Sequence, residues 1–219
     1  MPALPLTIRR GSFLLLLLAM LAELALAPVL GMLPDGLPVA RALTVLVLVA
    51  ALLVAGLARL DVALFLATVA AELLALLSGA APLHVLAATL RLAFLCRVLA
   101  LLIQGVLTQR SVTFDTVAGA ACAYVMLGVV WGALYLIVEL LQPGAFQVAE
   151  AWKVGPARDL RAALNVFSML NLATLGSDAV RPATPAMGAL CAAEAIVGQL
   201  YLAVMIARMV GLHTAQRAG

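Results

Sequence analysis

Charge is scarce in this chain: Asp, Glu, Lys and Arg together make up 11% of its 219 residues, against 66% hydrophobic. A soluble domain usually carries roughly 25% charged residues. A soluble fold of this length would need one very large core with almost no polar shell, whereas a bilayer accepts helices that are apolar on every face. The mean hydropathy of +1.20 points the same way. Cysteine is sparse too: Cys96, Cys122 and Cys191 lie in apolar runs without paired spacing, as small core residues do, which argues against a disulfide framework or a metal site. The sequence has no His-Glu metal motif, no serine or cysteine beside a histidine, and no phosphate-cradling loop. An enzyme is therefore not expected, nor is a metal or organic cofactor. The net charge of +3 comes with scattered arginines, which excludes a nucleic-acid footprint. A transporter built from inverted repeats would carry two interrupted segments, and only one is present.

What is abundant is long apolar runs. A helix crossing the hydrocarbon core needs about 20 mostly apolar residues. Six such spans are expected, from Ser12 to Leu33, Val39 to Ala58, Val62 to Leu77, Pro82 to Leu107, Phe114 to Leu141, and Pro185 to Leu212. Between the last two, Gln142 to Thr184 is half polar and holds a short helical pattern from about Arg158 to Ala173. The first run, with Arg9 and Arg10 ahead of a leucine block and Ala25-Leu26-Ala27 near its end, also fits a secretory signal peptide. Pro28 after that point disfavours cleavage, so a retained span is expected.

With six spans, Arg9, Arg10, Arg59, Arg110, Arg208 and Arg217 fall on one side, which the positive-inside bias assigns to the cytoplasm. Both termini then lie there in a multi-pass protein. Lys153, Arg158 and Arg161 fall on the opposite side, against the bias. Glu23, Glu72, Arg91 and Arg97 lie within apolar spans, where an ionised group needs a partner, and two acids with two bases suggest mutual neutralisation. The first four spans thus resemble the sensor module of voltage-gated channels. Arg91 and Arg97 are alone, however, and six residues place them about 120° apart around a helix, so they form no single stripe. After the fourth span, residues 108–115 form a short polar hinge.

From Thr113 onward several stretches agree with one family. The fifth span carries Tyr124, Trp131 and Tyr135; then comes FSMLNLATLGSDAVRPATP; the last span contains the run from Glu194 through Gly198, Gln199, Leu200, Tyr201 and Ala203 to Ala207-Arg208. Over about a hundred residues this resembles the bacterial two-helix ion-channel family that includes potassium channels, within the voltage-gated-channel superfamily. The resemblance implies an all-α transmembrane fold: a four-helix, sensor-like bundle at 1–108, then a pore domain at 109–219 with an outer helix, a re-entrant pore helix and an inner helix. It implies a homotetramer in the lipid bilayer of a bacterial inner (plasma) membrane. It also implies an ion pathway along Thr174, Leu175, Gly176, Ser177 and Asp178, through which cations such as K+ or Na+ permeate.

The family filter reads approximately Thr-Val/Leu-Gly-Tyr-Gly-Asp, with stacked carbonyls replacing the ion's hydration shell. Here Ser177 stands at the tyrosine, Asp178 at the second glycine and Ala179 at the aspartate, while Asn171 and Ala173 replace common threonines. The second glycine supplies a backbone conformation that costs little only without a Cβ. The outer carbonyl sites are therefore not expected in their usual form, and weakly selective monovalent conduction is expected. Asp178 either joins a cation-attracting ring of four carboxylates or pairs with Arg181 to brace the outer turn. Asn171, Arg181 and Glu194 are expected to support the filter, Glu194 either bracing the pore helix or binding an ion. Gly198 is either a gating hinge or a site of close packing. A chain with so altered a filter also suits a second role, as a non-conducting sensor or accessory protein.

Overall fold

The computed structural model describes residues 12–31, 33, 36–56, 58–109, 111–149 and 160–218. The expectations on Arg9, Arg10, Arg110, Lys153 and Arg158 lie outside these residues. The elements in chain order are α1 (Ser12–Gly31), α2 (Gly36–Ala55), α3 (Arg59–Ser78), α4 (Ala81–Thr108), α5 (Phe114–Leu141), β1 (Phe146–Val148), α6 (Leu160–Leu172), β2 (Val180–Pro182) and α7 (Pro185–Ala218). The described chain is helical apart from the short antiparallel ribbon of β1 and β2, with Phe146 opposite Pro182 and Val148 opposite Val180.

Five helices, α1, α3, α4, α5 and α7, are long and apolar enough to cross a membrane, so the chain is membrane-embedded. The expected second span falls on the 20-residue α2, whose apolar stretch among the described residues, Arg41–Val54, is shorter than the other five. Large apolar side chains such as Leu15, Leu18 and Leu77 stand outward, as an apolar solvent permits. The breaks between helices follow local chemistry. Gly79 takes a left-handed φ of +64° and its N–H closes onto Ala75 O (3.0 Å), ending α3; Pro82 then opens α4. At the polar hinge Thr113 caps α5: Thr116 N–H donates to Thr113 Oγ1 and Thr113 N–H donates to Thr116 Oγ1, both at 3.3 Å.

α5 is the central helix. Buried residues form 61% of its span, against 22% for α3 and α7. It packs on α4, α1 and α6, so the main core is continuous across residues 108 and 109: Phe13 and Leu16 of α1, Leu48 of α2, Phe94 of α4, Met126 of α5 and Leu172 of α6 belong to one buried cluster. A second cluster joins α5, α6 and α7 to the ribbon. Tyr135, Phe146 and Phe167 pack ring on ring at centroid distances of 5.0–5.8 Å, between α5, β1 and α6.

Candidate functional site

α6 lies between two long helices, and glycines set how closely they approach it. A Cβ on Gly132 of α5 would come within 2.2 Å of Asn165 Oδ1 and 3.0 Å of Asn165 Cα. A Cβ on Gly198 of α7 would meet Leu172 Cδ1 at 2.7 Å and Leu172 O at 2.9 Å. Gly198 is thus a point of backbone contact with the end of α6, which accounts for a glycine there without any bending. The Tyr124 hydroxyl donates to Leu172 O at 3.2 Å, which satisfies a carbonyl at the C-terminal end of α6 that the helix leaves unpaired. Tyr201 of α7 stacks near Tyr124, with centroids 5.9 Å apart, and donates to Ala120 O at 2.8 Å.

Glu194 is the node of this half. It is fully buried on α7, and its carboxyl group meets side chains from both neighbouring helices. Tyr135 of α5 donates to Oε2 at 2.5 Å, and Asn171 Nδ2 of α6 donates to the same oxygen at 2.6 Å. Ser168 Oγ touches Oε1 and donates to Gly128 O at 2.7 Å. Asn171 Nδ2 also donates to Cys191 O at 2.8 Å. Three helices therefore meet at one carboxyl group, and Asn171, Ser168 and Tyr135 hold α6 in place through it. Each of these side chains comes from the inner face of its helix, so the node is buried without a charged partner.

After α6 the helix closes on a left-handed cap: Thr174 N–H donates to Asn171 O at 2.9 Å and Leu175 N–H to Leu170 O at 2.8 Å. Thr174 has φ +60° and Gly176 φ +70°, and Thr174 is the non-glycine residue with positive φ among the described residues. Leu175 between them does not share it, and neither does Asp178. The Thr174 hydroxyl donates to Ala173 O at 2.7 Å. Ser177 braces the next turn: its Oγ accepts from Ala179 N–H at 3.1 Å and Val180 N–H at 3.4 Å. Asp178 Oδ1 and Arg181 Nη2 are 2.5 Å apart, with both side chains mostly exposed. The strip itself stands open in the single chain; Leu175 is 74% exposed.

The bundle charges form two layers. In one, Arg91 Nη2 is 3.7 Å from Glu23 Oε1, which also accepts from Thr44 Oγ1 at 2.6 Å, and Arg91 Nη1 is 3.7 Å from Glu72 Oε1. In the other, Arg97 Nε donates to Asp61 Oδ1 at 3.0 Å. Six residues of α4 separate the arginines by about 9 Å along the axis. Between the layers lie Phe94, fully buried, and Phe65, with ring centroids 6.1 Å apart. Glu23, Glu72 and Arg91 thus come together, while Arg97 is paired elsewhere. Asp61, 1% exposed, is a partner the span boundaries hide, because it stands one residue before the expected start of the third span. The signal that finds it is a lone acid at the edge of one span facing a lone base within the next.

Two further links connect the halves. Arg161, expected as an outward charge against the positive-inside bias, instead sits in the first turn of α6 with Nη1 3.7 Å from Glu72 Oε1. Arg208 Nη2 of α7 donates to Leu107 O (2.5 Å) and Gln109 O (2.8 Å), tying α7 to the end of α4. Ser168 is the residue that sequence reasoning passes over; it stands three positions before Asn171, on the same face of α6. No protein-family model, no curated protein and no solved structure matches this chain.

Proposed function

We propose that the chain is one subunit of a homotetrameric cation channel of the potassium-channel superfamily, with a non-standard filter and weak selectivity among monovalent cations. The observation that carries this reading is a short helix clasped between two long apolar ones and followed by an open, irregular strip at Thr174 to Gly176. In this reading the negative end of α6 favours a cation beside it, and carbonyls of the strip replace its hydration shell. One chain supplies one such strip and leaves it open, along with an apolar face on α7 that includes Ile196, Leu200 and Val204. Four copies around an axis would close the path and cover irregular backbone that lipid does not tolerate. In this reading α2 is the sixth span, α6 is re-entrant, and both termini lie on the cytoplasmic side of a bacterial inner membrane.

Weak selectivity follows from the outer end. Asp178 does not take a positive φ, and it and Arg181 neutralise one another, so fewer carbonyl sites line the path than in the family filter. The same observations favour a second reading, a non-conducting sensor or accessory protein that keeps the scaffold. Cation flux from purified protein in liposomes decides between them. The channel reading expects K+ and Na+ to pass at rates within about tenfold of each other. Strong preference for K+ over Na+ would refute weak selectivity, and no flux under any gradient or voltage would favour the second reading.

A further inference from the structure

The charge of Arg161 is badly placed for its own helix. In the first turn of α6 it faces the positive end of the helix dipole, where an acid is favoured and a cation is not. Its partner lies outside the pore-like half: Glu72 of α3, whose Oε1 is shared at 3.7 Å by Arg161 and by Arg91 of α4. Arg91 in turn reaches Glu23 of α1. Both contacts on Glu72 exceed a direct hydrogen bond, and Glu23, Arg91 and Arg161 border small crevices. One of about 20 Å³ is lined by Glu23, Thr44, Arg161 and Asn165, and another by Arg91, Arg161 and Asn165. The larger one has room for a water that can bridge Glu23, Thr44, Arg161 and Asn165. Glu72 Oε1 is buried and makes no hydrogen bond, so its charge is balanced by the two arginines.

We infer that Arg161 is a positioning residue for the ion pathway: through Glu72 it makes the orientation of α6, and with it the strip at 174–176, answer to Arg91 in the α1–α4 bundle. Asn165 lies on the same crevices and against Gly132, so a shift of Arg161 is carried into the tightest contact between α6 and α5. The sensor-like bundle then acts directly on the filter, in addition to any path through the 108–113 hinge. This inference rests on the channel reading only for its consequence, not for the coupling itself.

The test is a double-mutant cycle on the full chain in lipid nanodiscs, read by backbone hydrogen exchange over residues 160–172. Glu72→Gln and Arg161→Gln are each expected to speed exchange about fivefold, and the double variant no more than either alone. In liposomes the same single changes shift the K+/Na+ flux ratio, and Arg161→Lys restores both readouts at least in part. If the Gln variants fail to fold, Glu72→Asp with Arg161→Lys runs the same cycle with the charges kept. Unchanged exchange in α6, or effects of the two changes that multiply, would overturn the inference. Coupled exchange in a chain that passes no ion keeps the relay and removes the channel; normal flux with independent exchange effects does the reverse.

Discussion

Glu194 and Glu72 are both acids within the apolar body of the protein, and they are held in opposite ways. Glu194 has neutral partners at hydrogen-bond distance, from Tyr135 and Asn171 at 2.5 and 2.6 Å, and no exposure. Glu72 has two cationic neighbours at 3.7 Å and no hydrogen bond on its buried Oε1. Short, directional bonds to neutral groups fix a position and lose much when one partner goes. Looser contacts among four charges fix only the sum of charge, and tolerate movement. The C-terminal half thus holds α6 by short hydrogen bonds, while the Glu72 layer of the bundle is held by longer charge contacts.

The comparison is broken most severely at Glu194. Replacing it by Leu leaves the Tyr135 hydroxyl and one Asn171 N–H facing an apolar group, and is expected to destabilise the fold by about 3 kcal/mol or more. Thermal unfolding in detergent checks this, and a shift comparable to that of Glu72→Gln would erase the distinction. Arg97→Gln comes next: it strips the buried Asp61 of its countercharge and should cost roughly 3 kcal/mol, while the joint Asp61→Asn change recovers most of the loss. Gly198→Ala sharpens the claim of rigidity. Its new methyl would press on Leu172 Cδ1 and on the Leu172 carbonyl, so a loss of about 1–3 kcal/mol is expected; a gain in stability would mean that α7 and α6 part easily. Smallest is Arg181→Gln, which breaks an exposed pair and should move stability by less than about 1 kcal/mol. Its flux effect should be larger, because it frees Asp178 to attract divalent cations and increases their block.

The long helices were legible because each is a mostly apolar run: α5 keeps the expected limits, and α7 starts at the expected Pro185 but runs on to Ala218, six residues past Leu212. The short helix was legible to within about two residues, whereas the contacts of Asn171 with Glu194 and of Arg181 with Asp178 are seen only in the fold. What stayed hidden depends on pairing across distance. Asp61 looks like a surface residue until Arg97, 36 positions on, is set against it. Arg161 looks like an exception to a topology rule until Glu72 faces it. Gly198 offers two meanings in sequence, and only the position of Leu172 distinguishes contact from bending. Backbone hand is the least legible of all: nothing in Thr174 itself announces a positive φ.

The central claim is a shared pathway built by four chains. Single-particle imaging of the protein in lipid nanodiscs tests it most directly. The account predicts a fourfold particle with Thr174 to Asp178 gathered around the axis and α7 lining the path below them. A monomer or dimer in which that strip faces lipid or open solvent would contradict it.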